Sequence, residues 1–174
     1  VGPLAQVAVM LRRHGYLVVK DPVLYLGRAL VFINSSIYFA IVYLKARDLD
    51  QDNVLSRAWL TVWYIGVPAN MGVVAVFALN AEFRSIRREI KNGMISPAAY
   101  LIAKGLLEIP IMLLFAVCAL GPAAYGISNY EPSGFVSVCA VWAACIYACE
   151  AVSEVLSVQF DNPLLGMMNF MGFW

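Results

Sequence analysis

Four apolar runs, at 23–44, 58–80, 100–127 and 134–158, are each long enough to cross a bilayer as a helix. A helix needs about 20 residues to cross a hydrocarbon core of about 30 Å. In that core each backbone N–H and C=O must be satisfied internally, which leaves helices as the economical solution for such runs. A fifth apolar run starts at Pro163 and continues to Trp174. The expected fold is therefore all-α: a polytopic membrane helix bundle with four full transmembrane helices and, at 163–174, the start of a fifth. No repeat, low-complexity tract or linker divides 1–174, so it reads as a single membrane domain. The chain begins without Met and stops at Phe173-Trp174 in mid-pattern, which makes it read as a fragment.

Composition excludes several function classes. Only 13% of the residues are charged and the mean hydropathy is +0.76, against about 25% charged in a soluble domain. The net charge of +1 provides no basic face to neutralise phosphates, so no nucleic-acid partner is expected. Cys118, Cys139, Cys145 and Cys149 all lie inside apolar runs, where a free thiol packs as a small apolar group. The start of the chain has no secretory signal pattern.

Residues 1–22 contain an amphipathic segment. Leu4, Val7, Ala8, Leu11 and Val18 recur at helical spacing, with Gln6, Arg12 and Arg13 opposite. This suits a helix lying in the membrane interface, with the lone His14 at its surface. Asp21-Pro22 should end it. Before the third span, Asn92-Gly93 reads as a helix stop, and Ser96-Pro97 as an N-cap and first helical residue.

The basic residues set the expected orientation. Arg12, Arg13, Lys20, Arg84, Arg87, Arg88 and Lys91 flank one end of the spans, and Arg28 and Lys104 lie a turn inside it. The other end has only Lys45, Arg47 and Arg57, offset by Asp48, Asp50 and Asp52. This bias predicts a multi-pass membrane protein with a cytoplasmic N-terminus.

Polar groups within the spans are candidates for chemistry. Glu150 and Glu154 are one helical turn apart in the fourth span and flank a small-residue stripe of Ala140, Ala144 and Ala148. A carboxylate at that depth costs roughly 2.5–3.5 kcal/mol unless satisfied. The pair is expected to face neighbouring helices or a wet cavity. It either handles protons or cations, or is satisfied by Arg28, Lys104 or polar backbone. Pro68, with Gly66 and Gly72, interrupts the second span, either as a kink or for close packing. Asn34 and Asn70 place amides at membrane depth. The chain has no H-E-x-x-H, G-x-S-x-G or phosphate-loop motif, so ATP binding is not expected within it.

The segment from Glu82 to Pro110 carries a compound pattern: Glu82 and Glu89, then Asn92-Gly93, Ser96, Tyr100, Lys104 and Glu108-Ile-Pro110. This resembles the loop between the second and third spans in the membrane domain of G-subfamily ATP-binding-cassette (ABC) exporters. Lys20-Asp21-Pro22 with Arg28, the segment 53–57, and Asp161-Asn162-Pro163 resemble other parts of that domain. The resemblance implies an interfacial connecting helix at 1–22 and a cytoplasmic coupling loop at 81–99. Glu82, Arg84, Arg87, Arg88 and Glu89 would then contact a nucleotide-binding domain of the same or another chain, where ATP and Mg would be held. It also implies a second membrane domain, as a homo- or heterodimer, and a second span lining the substrate path, with Val67 and Asn70 as substrate-facing positions. Phe83, Ile86 and Ile90 form an apolar stripe expected to seat in a partner groove.

Three functions compete at this stage. One is the translocating part of an ATP-driven exporter for a lipid-like or amphipathic small molecule, with membrane lipid as its surroundings. Another is an intramembrane enzyme using Glu150 and Glu154. The last is a non-catalytic membrane subunit or channel.

Overall fold

The computed structural model describes residues 3–20 and 22–172, with side chains described at all of these except 3, 22–24, 68, 69, 71, 78 and 81. Asp21, Phe173 and Trp174 lie outside the described residues, so the expected break at Asp21 and the end of the last run are not addressed.

Six α-helices make up the bundle: α1 (Pro3–Lys20), α2 (Pro22–Val42), α3 (Val54–Lys91), α4 (Pro97–Leu120), α5 (Phe135–Gln159) and α6 (Pro163–Gly172). Short 3₁₀ turns join α2 to α3 and lead into α5. Among the described residues there is no strand. Four stretches are long and apolar enough to cross a membrane: Tyr25–Val42, Gln51–Phe77, Pro97–Ile127 and Pro132–Gln159.

Local chemistry sets the helix ends. Ser96 Oγ accepts a hydrogen bond from the Ala99 N–H at 3.2 Å, and Pro97 follows as the first helical residue. At the other side of that turn α3 stops at Lys91. Gly93 adopts φ +70°, which glycine reaches without strain, and donates its N–H to the Ile90 carbonyl at 2.9 Å. Asn162 Oδ1 accepts from the Leu164 N–H at 3.0 Å, starting α6 at Pro163.

At Pro68 the carbonyl left free by the missing N–H is satisfied from another helix. Pro68 has no N–H to give the Tyr64 carbonyl four residues earlier. The Trp142 indole N–H of α5 donates to that carbonyl at 2.6 Å. Pro122 likewise cannot continue the ladder, and Gly121–Ile127 widens into a π-helical turn in which the Ser128 N–H donates to the Ala123 carbonyl at 3.0 Å.

The interior is built on α3 and α5. The Ser153 hydroxyl lies 2.9 Å from the Gly72 carbonyl, and the Ser157 hydroxyl 3.1 Å from the Val76 carbonyl. These hydroxyls tie α5 to α3 at membrane depth. On another face of α3, Gly72 lies so close to the Phe170 ring of α6 that a Cβ there would overlap it, and a Cβ at Gly166 would lie 2.9 Å from Val76 Cγ1. Close approach, not a special dihedral, is what these glycines supply. The larger core cluster centres on Phe32 of α2, whose ring lies 5.7 Å from both Phe115 and Trp142. Ala116, Ala119, Ala123 and Ala124 are fully buried beside it and let the helices approach.

Two features of the spans lie at the surface of this chain. Ala140, Ala144 and Ala148 are exposed, because α5 buries the face carrying Trp142, Ile146, Cys149 and Glu150 instead. Asn34 is also exposed and, among the described residues, makes no interhelical hydrogen bond.

Candidate functional site

One end of the bundle collects nearly all its charged contacts. The end of α3, the first two turns of α4 and the last turns of α5 come together there, and α1 packs across α3 and α4. Met10, Ile86, Tyr100 and Ala103 form a small buried cluster, with Val7, Phe83, Ile90 and Ile95 against it. Ile86 of the apolar stripe is thus buried against α1 and α4, with Phe83 and Ile90 half-buried beside it. The separate helix expected at 82–91 is instead the last part of α3, which is unbroken for 38 residues. Asn92-Gly93, not the end of the apolar run, is what stops it.

Lys104 of α4 is the centre of this end. Its ammonium lies 2.9 Å from Glu154 of α5, 3.8 Å from Glu108 of its own helix and 3.9 Å from Glu82 of α3. Glu82 Oε1 also accepts from the Tyr100 hydroxyl at 2.9 Å and faces His14 Nε2 at 3.3 Å. Burial pushes the Glu82 carboxyl up, but the bonds from His14 and Tyr100 and the Lys104 charge outweigh it and hold it below the usual carboxylate value.

His14 is buried here, not at the surface. It shares one face of α1 with Val7, Met10 and Val18, and that face packs on α4, where its ring lies 5.4 Å from Tyr100. Its Nδ1 lies 3.1 Å from the Met10 carbonyl. A carbonyl only accepts, so Nδ1 donates. The contact from Nε2 to Glu82 is a hydrogen bond when that nitrogen is protonated as well.

A second pair lies deeper. Arg28 of α2 grips Glu150 of α5 with both terminal nitrogens, at 3.0 and 2.6 Å, and the two side chains are only 8% and 4% exposed. Glu150 and Glu154 therefore each have a cation from a different helix. Both carboxylates are engaged by fixed charges, and no group of three metal-ligating side chains exists among the described residues. The arrangement does not supply the free acid and base that an intramembrane hydrolase needs.

The other sequence candidates separate into four groups. Glu89 pairs with Arg13 of α1 through two bonds at 2.7 and 2.8 Å. The hydrogen bonds from Arg13 hold the Glu89 carboxyl below its usual value, and the same bonds raise Arg13. Arg84 donates to the Asp161 carbonyl at 2.5 Å and Arg87 approaches the Asp161 carboxylate at 3.6 Å, so both turn toward the α5–α6 connection. Arg88 is exposed and, among the described residues, has no ion pair. Val67 and Asn70 do not share a surface. Val67 is buried in the larger core, whereas Asn70 is exposed with its amide donating to the Gly66 carbonyl at 3.0 Å.

Sequence reasoning missed Glu108 as a member of the charged cluster, although its i, i+4 spacing from Lys104 was visible. It also missed the link from Arg13 to Glu89, which no spacing rule can reveal across 76 residues. At the opposite end, an apolar cleft of 450 Å³ opens among Tyr64, Ile65, Leu120, Val141 and Trp142. Neither Val67 nor Asn70 lines it.

The sequence model of the ABC-2 type transporter family matches residues 5–173, nearly the whole chain. No curated protein matches the sequence significantly. Membrane domains of this kind are permease parts that work with ATP-binding domains and are not themselves catalytic. The match and the four membrane-length helices agree: this chain belongs to the ABC-2 type transporter family, as a multi-pass stretch of its membrane domain.

Proposed function

We propose that the chain is the substrate-translocating part of an ATP-driven exporter of the G-subfamily kind, moving a lipid-like or amphipathic small molecule. ATP and Mg are held by a nucleotide-binding domain of the same or another chain, and a second membrane domain completes the path. The charged end faces the cytoplasm, in keeping with the basic residues that gather there.

The observation that supports this best is the continuity of α3. At 1.5 Å per residue its 38 residues extend about 57 Å, nearly twice a hydrocarbon core of about 30 Å. The tail beyond the bilayer is therefore a rigid extension of the same helix that passes Asn70 at mid-depth. Pressure on the tail moves the span without an intervening hinge. Because Glu82 and Glu89 hold α1, and Arg84 and Arg87 hold the α5–α6 connection, these elements travel with it. Arg88 projects outward and is the contact through which the nucleotide-binding domain acts. Asn70 is the substrate-facing residue of the pair first considered, since Val67 is enclosed by its own chain.

In the full-length transporter, Arg88→Glu should leave ATP binding intact while substrate-stimulated hydrolysis and export fall together. Unchanged stimulation with normal membrane insertion would remove 82–91 from the coupling path. Orientation has its own test: a cysteine at 130 should react with an impermeant reagent in intact cells and one at 92 should not. The reverse pattern would invert the bundle.

A further inference from the structure

At the charged end α3, α4 and α5 diverge around a cleft of 260 Å³. Phe83 and Ile90 of α3, Leu101 of α4 and Val158 of α5 give it an apolar floor, and Arg84 and Arg87 stand at its mouth. The cleft lies at the first turns of α4 and the last turns of α5. Both spans end there, which sets the cleft at the depth of lipid headgroups.

The charge at its mouth is unbalanced. Arg84 gives its N–H to a neutral carbonyl, that of Asp161. Arg87 meets the Asp161 carboxylate only at 3.6 Å, with side chains 57% and 96% exposed, where water screens the pair. Arg88 adds a third cation beside them, and the nearby Glu89 is occupied by Arg13. Two guanidiniums at the mouth thus face one carboxylate, with Arg88 outside the cleft on the same helix. Guanidinium forks match phosphate oxygens in pairs, and basic clefts between spans suit anionic headgroups.

We propose that this cleft binds an anionic phospholipid, with an acyl chain on the Phe83–Leu101–Val158 floor and the phosphate on Arg84 and Arg87. The inference takes from the proposed function only the leaflet concerned, the cytoplasmic one. It moves Arg84 and Arg87 from contact with a nucleotide-binding domain to contact with lipid, and leaves Arg88 for the protein partner.

The test uses the assembled full-length transporter in neutral detergent, without nucleotide. Phosphatidylglycerol or phosphatidylcholine is added and retained lipid is read by native mass spectrometry. Phosphatidylglycerol should be retained in preference to phosphatidylcholine. Arg84→Gln with Arg87→Gln should weaken its retention roughly thirtyfold, two cations at about 1 kcal/mol each. Lys45→Gln with Arg47→Gln, at the opposite end, should not. Leu101→Trp fills the floor without altering charge and should also lower retention, which separates the cleft from general attraction. Equal retention of the two lipids overturns the inference. So does retention that survives the Arg84/Arg87 change, retention lost equally at Lys45/Arg47, or no retained lipid because a partner covers the cleft. Glycerol phosphate displacing the lipid as well as a second lipid does would reduce the site to a bare anion site, which also overturns it. Neither transport nor nucleotide enters this readout, so its failure and that of the exporter reading remain distinguishable.

Discussion

The two ends of the bundle solve the same packing problem with different physics. At the charged end, helices far apart in sequence are joined by ion pairs, Arg13 to Glu89, Arg28 to Glu150 and Lys104 to Glu154, and by the contact of His14 with Glu82. At the other end the joints are aromatic. Phe39 stacks on Trp63 at 4.4 Å, Tyr125 meets Phe135 and Tyr130 edge-on, and Arg57 lies 4.6 Å over the Tyr130 ring. Aromatic contacts weaken by degrees when one member is trimmed. Buried ion pairs do not, because the survivor is left as an unsatisfied charge. The charged end is therefore conditional at its buried pair, Arg28 and Glu150, while the aromatic end is graded.

The sharpest way to break this comparison is at Arg28. Arg28→Met should destabilise the purified protein by about 3–5 kcal/mol, since Glu150 is then buried alone. Adding Glu150→Leu should recover most of that loss. Melting temperatures of the two single variants and the double variant give the coupling, and an additive result would show that the pair is not desolvated as described. At the aromatic end, Trp142→Phe should lose about 1–3 kcal/mol, because the Tyr64 carbonyl then loses its donor as well as its Pro68 partner. If the loss is negligible, α3 satisfies that carbonyl in another way. Arg57→Gln should matter less, about 1 kcal/mol for a half-buried cation over a ring. A loss as large as that of Arg28→Met would erase the distinction between the two ends.

The smallest effect concerns pH. Glu82 and Glu89 both have carboxyls lowered in the folded chain. Their contribution to holding α1 is present above the usual carboxylate range, about pH 4, and is lost as pH falls through their lowered values. Spin labels on α1 and on the end of α3 should keep their separation from neutral pH down to that range and spread only below it. Glu89→Gln alone should shift the transition little, as expected for a part-exposed pair. Spreading that begins near neutrality would assign the α1 contact to some other group.

Much of this architecture is readable in one dimension because a bilayer leaves few options. The apolar runs, the Ser96-Pro97 start and the Asn92-Gly93 stop all depend on neighbours within a few residues. So does the expectation that Glu150 and Glu154 need cations, with Arg28 and Lys104 at the right depth. What could not be read is the choice of partner across helices. His14 falls beside Val7, Met10 and Val18 in a helical projection, so its burial was within reach of periodicity, but its partner Glu82, 68 residues away, was not. Val67 and Asn70 are three residues apart and look equivalent until α5 packs on one of them. The carbonyl freed by Pro68 is implied by the sequence. Its donor, Trp142, lies on another helix, 78 residues beyond the carbonyl it serves.

Lys104 has a consequence for how such a chain can change over generations. One ammonium serves carboxylates from three helices. Any single acid can be exchanged for its amide and the lysine still has two carboxyl groups within 4 Å. Exchange of the lysine leaves the carboxyls of Glu82, Glu108 and Glu154 in the same small volume without their shared cation. Substitutions in this cluster therefore have an order: the acids can drift one by one, and position 104 becomes free to vary only after most of them have gone. Related chains should show that history as a block, with Lys104 present wherever two or more of Glu82, Glu108 and Glu154 persist, and neutral residues at 104 only where those acids have already been lost.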